Sequence, residues 1–381
     1  MKWIECTLGD ILNFRRGYDL PHSEMSGGDI PVAGSNGVIG YHNKATDISP
    51  VITIGRSGNV GTPYIYDRAW AHNTTLFIDD FKGNDPLYLY YLIKTLPLAS
   101  FGGGSAVPTL NRNHIHPLIV KHCPDVEEQK RIASFLNAFD EKIELNKRIN
   151  HNLEEQAKTL YKSWFVDFEP FKDGDFIDSA LGLIPKGWHV GTLSELGEIV
   201  AGGTPSKAKP EYFTNNGIAW LTPKDLSVKC NKFTAKGEID ITEDGYKNSS
   251  AKLMPRGSVL FSSRAPIGYI SIAKGDICTN QGFKSVVPTY AGTAYIYYWL
   301  RENTDAIEAQ ASGSTFKEAS GSLMKSFPAI IPEKNVLDSF EKELSPILNE
   351  QEILEEEIYQ AEQIRDSLLP RLMSGVLVMN C

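Results

Sequence analysis

The chain has 381 residues, the apolar content of a globular protein and a formal net charge of −9, which is room for two or three domains with separate cores. No run of about 18 apolar residues is present to span a membrane, and Met1 to Glu5 carry no apolar signal-peptide core. Five scattered cysteines (Cys6, Cys123, Cys230, Cys278, Cys381), none in a Cys-x-x-Cys pair, argue against a zinc ribbon or disulfide framework and for reduced thiols in a cytoplasm.

Residues 1–124 balance their charges at net 0. Short β-type runs at 51–54 and 75–78 and a helical stretch at 86–95 mark this segment as a mixed α/β domain. Its candidate polar contacts are Arg56, Ser57, Asn59, Asn73, Thr74, Ser105, Asn111 and Arg112. An arginine after a strand suits a guanine edge or a phosphate, and an amide suits an adenine edge; bracing a turn is the structural alternative for each. His114, His116, His122 and Cys123 lack matching metal-ligand spacing, although on a strand His114 and His116 share a face. Asp125 with Glu128 to Lys130 mimics a nuclease triad at too short a spacing.

Residues 125–169, net −3, carry a 4-3 apolar repeat through Ile132, Leu136, Phe139, Ile143, Leu153, Leu160 and Trp164, predicting a long helix that ends before Pro170. A linker follows over 170–184. Residues 185–332, net +3, repeat the first segment. Strand-like runs lie at 259–261 and 269–272, and a helical stretch at 293–302. The candidate contacts here are Lys207, Lys209, Lys224, Arg264, Asn280, Gln281, Ser314, Thr315 and Lys317. Residues 333–372, net −7, form a second long helix with seam residues Leu337, Phe340, Leu344, Ile347, Leu354, Ile358 and Leu368, and 373–381 are a tail.

The acid thus sits in the helical segments, while the globular segments are neutral to basic. Each helix of nearly 40 residues is about 58 Å long. The intervening domain lets the chain return, so the two pair as an antiparallel coiled coil. Asn146, Asn150 and Gln351 interrupt the seams, either fixing register or facing solvent at a bend.

The two halves echo one another. Trp3-x₃-Thr7-Leu8 returns as Trp188-x₃-Thr192-Leu193 at an offset of 185, and Leu87 to Tyr91 return as Ala294 to Tyr298 at 207. The second copy therefore carries about 22 extra residues, and residues 12–55 and 197–258 share little. On this matching Arg56 to Gly61 faces Ser263 to Gly268, each window with one arginine, and Asn73-Thr74 faces Asn280-Gln281. Divergent segments on a repeated scaffold suit two domains that read two different targets.

The chain resembles the specificity subunit of type I restriction–modification systems over nearly its whole length. The resemblance rests on Trp3-x₃-Thr7-Leu8-Gly9-Asp10, Pro124-x₂-Glu127-Glu128-Gln129-Lys130-Arg131-Ile132, Ser163 to Pro170, Leu183 to Trp188 and Ser367 to Gly375. The second helix departs from the pattern, opening Pro332-Glu333-Lys334-Asn335 without the Glu-Gln pair. The resemblance implies a non-catalytic DNA-recognition subunit. Two α/β target-recognition domains would read the halves of an asymmetric bipartite site in double-stranded DNA, with two helices that space them and dock two methyltransferase subunits. It places S-adenosylmethionine and ATP on partner subunits, methyltransferase and restriction–translocase respectively, and no cofactor or metal here. No amino-methyltransferase Asn/Asp-Pro-Pro-Tyr or phosphate-loop motif is present. A coiled-coil scaffold holding proteins through duplicated domains, without DNA readout, fits the duplication and the acidic helices but not the divergence of the domain middles.

Overall fold

In a computed structural model, residues 3–103, 108–228, 231–313 and 317–378 are described. The chain divides into two compact units, residues 1–144 with 359–381, and residues 145–358. Ser105, Ser314, Thr315, Cys230 and Cys381 lie outside the described residues. No described helix is long and apolar enough to cross a membrane.

The first unit begins with β1 (Ile4–Thr7), which pairs with β9 (Ile119–His122), and one turn of helix, α1 (Leu8–Ile11). Thr7 and Asp10 form a capping box that starts α1. The main sheet has the order β2-β8-β5-β6, from β2 (Asn13–Arg16), β8 (Thr75–Asp80), β5 (Val51–Gly55) and β6 (Pro63–Tyr66). A second sheet of β3 (Ile30–Gly34), β4 (Gly37–His42) and β7 (Trp70–Ala71) is built mainly from the segment between β2 and β5. Helices α2 (Pro86–Lys94) and α3 (Arg112–Ile115) complete the domain. Tyr88, Leu89, Tyr91 and Leu92 of α2 are buried with Phe14, Ile52, Ile54 and Ile78 of the main sheet.

The first long helix, α4, runs Val126–Phe165. Asp125 caps it, its Oδ1 accepting from the amides of Glu127 (3.0 Å) and Glu128 (3.3 Å). The nuclease-like Asp125–Lys130 run is therefore a helix start. Buried Gln129 locks that start to α2: its Nε2 donates to Cys123 O (2.7 Å) and Asn84 Oδ1 (2.8 Å), and its Oε1 accepts from Asp85 N (2.8 Å).

In the second unit the linker folds into a hairpin of β10 (Phe176–Ser179) and β11 (Gly182–Pro185). Then β12 (His189–Thr192), α5 (Leu193–Leu196) and β13 (Gly197–Ala201) repeat β1, α1 and β2, with Thr192 and Glu195 forming the same capping box. The divergent segment builds β14 (Phe213–Thr214), β15 (Trp220–Leu221), α6 (Pro223–Val228), β16 (Phe233–Thr234), β17 (Asp240–Ile241) and α7 (Glu243–Lys247). The scaffold resumes with β18 (Val259–Ser263), β19 (Ile267–Ala273), β20 (Cys278–Thr279) and β21 (Lys284–Pro288), then α8 (Thr293–Gln310), α9 (Gly321–Ser326), β22 (Pro328–Ile331) and α10 (Lys334–Met373). The main sheet has the order β13-β21-β18-β19-β16. It matches β2-β8-β5-β6 strand for strand, with β16 added at the edge. The shared scaffold thus includes β2 and β13, and the divergence narrows to residues 17–50 and 202–258.

Within each unit α4 and α10 pair antiparallel. Ile132 and Leu136 join Leu369 and Leu372 in the first core, and Ala157, Tyr161 and Phe165 join Leu337, Phe340, Leu344 and Leu348 in the second. Of the expected seam, Ile132, Leu136, Ile143, Leu337, Phe340, Leu344 and Leu354 are buried, whereas Phe139, Leu153, Leu160, Trp164, Ile347, Ile358 and Leu368 are only partly so. In α10 Leu348 and Leu369 are buried deeper than their neighbours Ile347 and Leu368, and towards the C-terminal end of α4 the deepest positions move by one residue, to Tyr161 and Phe165. A helix of 3.6 residues per turn drifts about 20° per heptad against a strict seven-residue repeat, which over such a length amounts to one position.

Candidate nucleic-acid interface

Two clefts gather the polar residues that chemistry alone would send to DNA. In the first unit a cleft of about 400 Å³ is lined by Arg15 and Arg16 of β2, Arg56 after β5, and Thr109 to Arg112 at the start of α3. Arg56 is half-buried and its backbone is held on both sides, its amide donating to Thr74 O (2.8 Å) and its carbonyl accepting from Leu110 N (2.7 Å). Arg112 Nη1 donates to Phe14 O (3.1 Å), and Arg15 lies over the Tyr18 ring at 5.4 Å. Arg16 pairs with exposed Asp19 (3.3 Å), and no carboxylate pairs with Arg15, Arg56 or Arg112 among the described residues. Asn111 is committed as a helix cap, accepting from Asn113 N (3.0 Å).

In the second unit a cleft of about 750 Å³ lies between the divergent segment and the scaffold. It brings together five of the expected residues, Lys207, Lys224, Arg264, Asn280 and Gln281, beside Phe213 and Trp220. Here the cations are largely engaged: Lys224 pairs with Glu238 (3.1 Å), and Arg264 with Glu318 (3.1 Å), which also holds buried Lys284 (3.2 Å). Asn280 Oδ1 accepts from Gly282 N (2.8 Å), and Gln281 from the Thr204 hydroxyl.

The remaining expected residues stand apart from these clefts. Asn59 accepts from Thr62 (3.2 Å), Asn73 donates to Asp19, and Thr74 bonds His72 (2.9 Å). Lys209 donates to the Tyr212 hydroxyl (2.9 Å), Ser57 bridges to Thr109, and Lys317 is exposed. His114 and His116 do not share a strand face, because they lie in and just after α3. His116 instead accepts from Phe14 N through Nε2 (3.1 Å), and burial together with Arg112 and Lys82 keeps its pKa low. Arg15 and Arg16 escaped the sequence reading. The signal that marks them is two adjacent cations on an edge strand.

Backbone pairing also corrects how the copies correspond. Arg56 N donates to Thr74 O (2.8 Å) and Ser263 N to Gly282 O (2.7 Å); Leu110 N donates to Arg56 O (2.7 Å) and Ala319 N to Ser263 O (2.9 Å). His72 and Asn280 each accept from the amide two residues on, at 3.4 and 2.8 Å. Arg56 therefore corresponds to Ser263, as the six-residue windows pair them, and Asn73 corresponds to Gln281 rather than Asn280. Matching by residue identity slips by one position because the offset in this region is 207 to 208 rather than constant.

A polar network ties the second domain to both long helices. Lys232, from the divergent segment, is buried; its Nζ donates to Glu154 of α4 (2.7 Å), Gln351 of α10 (2.7 Å) and the Tyr298 hydroxyl of α8 (2.7 Å). Glu355 of α10 accepts from the amides of Lys232 (2.8 Å) and Phe233 (3.1 Å). Burial lowers the Lys232 pKa to about 8 despite Glu154. Burial alone would raise the carboxyl of Glu154, but Lys232 and Arg301 hold it below its ordinary value. Asn146 donates to Glu357 (2.9 Å), and Gln351 Nε2 donates to Glu154 (3.2 Å) and to the backbone carbonyl of Asn150 (3.4 Å), so the side chains of Asn146 and Gln351 bond between the helices rather than facing solvent at a bend.

The family profile described as the type I restriction modification DNA specificity domain matches residues 1–155 and 185–362, one match per copy. The chain belongs to this family. The specificity subunit of the type I restriction enzyme MjaIX of Methanocaldococcus jannaschii is 37% identical over 191 residues, 48% of this chain and 44% of that protein. The HindI specificity subunit of Haemophilus influenzae is 26% identical over 313 residues, covering 66% of this chain and 68% of its own. The matched region thus spans less than half of the first relative. A crystal structure of a type I restriction–modification S subunit from M. genitalium superposes with a TM-score of 0.71 at 15% identity, covering 100% of this chain and 97% of that one. That likeness shows the two-domain, coiled-coil fold.

Proposed function

We propose that this family member is the non-catalytic DNA-recognition subunit of a type I restriction–modification complex. Each globular domain reads one half of an asymmetric bipartite site in double-stranded DNA. The observation that carries the reading is a repeated sheet scaffold bearing unlike inserted segments, with a cleft of unlike chemistry on each copy. Two copies with the same ligand would have no need for different linings.

The helices dock two methyltransferase subunits, and through their length set the separation of the half-sites, as dimer geometry does for helix-turn-helix proteins. S-adenosylmethionine and ATP belong to the methyltransferase and restriction–translocase partners, and the assembly works in the cytoplasm. Because the phosphate-facing charge of this chain is modest, tight binding draws on basic partners.

Filter binding of duplex carrying the target, with and without co-expressed methyltransferase subunits, tests this. Sequence-dependent retention by the complex is expected, and indifference to DNA in both states would overturn it. Lengthening both long helices by one heptad is expected to change the spacer and leave both half-sites intact.

A further inference from the structure

Three of the four arginines around the first-unit cleft lack a carboxylate partner among the described residues, although acid is plentiful elsewhere in the chain. Like charges gathered in one cleft repel one another, so the cluster calls for an anionic or strongly hydrogen-bond-accepting ligand. The four are not equally placed. Arg15 and Arg16 are exposed on an edge strand, free to follow a phosphate backbone. Arg112 gives one guanidinium N–H to Phe14 O (3.1 Å).

Arg56 differs in kind. Its Cα is clamped between Thr74 O and Leu110 N at the rigid end of buried β5, its side chain has no acceptor among the described residues, and it is half-buried at the cleft wall. A planar fork held on a fixed backbone loses little entropy on making two parallel hydrogen bonds. The paired acceptors it matches on a base edge are O6 and N7 of guanine.

Building on the DNA-recognition reading above, we infer that Arg56 reads a guanine in the half-site of the first domain, with Arg15, Arg16 and Arg112 holding flanking phosphates. Among its described residues the second domain has no counterpart reader. Ser263 stands at the position of Arg56, and the neighbouring Arg264 is engaged by Glu318. Val200 and Ala201 replace Arg15 and Arg16 on the matching strand. The copies therefore read by different chemistry from different clefts.

The test uses the complex with its methyltransferase subunits. Methylation mapping defines the wild-type motif, and domain exchange assigns its halves. Competition filter binding then compares duplexes carrying every single-pair substitution for wild type, R56A and R56K. Both variants are expected to lose roughly ten- to a hundredfold discrimination at one G·C pair of the first-domain half. Discrimination in the other half stays intact, which also reports correct folding. R56K fails with R56A because an ammonium keeps the charge but not the fork.

An even loss of affinity on all sequences with R56A, rescued by R56K, makes Arg56 a phosphate contact and overturns the inference. So does a first-domain half without a G·C pair, or unchanged discrimination in both variants. A wild-type complex without a bipartite motif instead overturns the DNA-recognition reading itself.

Discussion

In the first copy the helix after the sheet is capped from within: Asp85 accepts from Tyr88 N (2.9 Å) at the N-terminus of α2. In the second copy Gly292 stands at that position, and the cap comes from the long helix α10, where Glu341 accepts from Ala294 N at 3.1 and 3.2 Å. The grip on the long helices differs in the same way. Tyr91 of α2 donates to Asp140 of α4 (2.6 Å), and Arg365 of α10 completes that pair. The matching Tyr298 of α8 donates to Glu154 of α4 (2.9 Å), and there the amine of Lys232 comes from the divergent segment itself. The first copy is held by its scaffold, and the second also by the segment that distinguishes it. The second domain is therefore the one whose divergent segment is least free to be exchanged by itself.

Breaking the Lys232 network is expected to have the largest effect. Lys232→Met leaves Glu154 buried with Arg301, Gln351 and Tyr298 alone and should destabilise the second unit by about 3 kcal/mol, the low end for removing one partner of a buried pair. Urea unfolding measures it. Adding Glu154→Gln should restore most of the loss, and no recovery would mean that the lysine acts by packing rather than by charge.

The caps sharpen the comparison next. A Cβ on Gly292 would come within 2.1 Å of Glu341 Oε2, so Gly292→Ala displaces the carboxylate from α8 and should cost about 1–2 kcal/mol. Asp85→Ala removes the side-chain cap of α2 and should cost about 1 kcal/mol. Equal insensitivity of both sites in thermal unfolding would deny that the caps matter.

The same network also sets a pH dependence. The Lys232 amine sheds its proton near pH 8 in the folded chain against about 10.5 unfolded, so between these values the unfolded state binds more protons and stability rises with pH. Urea midpoints at pH 7.5 and 9.5 should show a rise in the wild type that is weaker in Lys232→Met. The same slope in both would assign it to other groups.

Much of this architecture is legible in the residues. The long helices follow from their 4-3 spacing, the second domain from the Trp-x₃-Thr-Leu echo, and the divergent segments from the jump between offsets. What is not legible depends on partners brought together from afar. Lys232 is one lysine in a segment without pattern, and only the fold sets it against Glu154, 78 residues away in sequence. Asn73 and Asn280 look equivalent because the side chains are identical, and a one-residue slip is invisible until backbone pairing fixes it. The drift of the seam is likewise a property of helix geometry, which a strict heptad cannot express.

The most direct test of two domains reading two half-sites exchanges residues 1–124 for the equivalent domain of a relative. Methylation is then mapped in cells that co-express the methyltransferase subunits. One half of the methylated sequence should change while the other half and the spacer stay the same. A change in both halves, or in neither, would contradict recognition domain by domain.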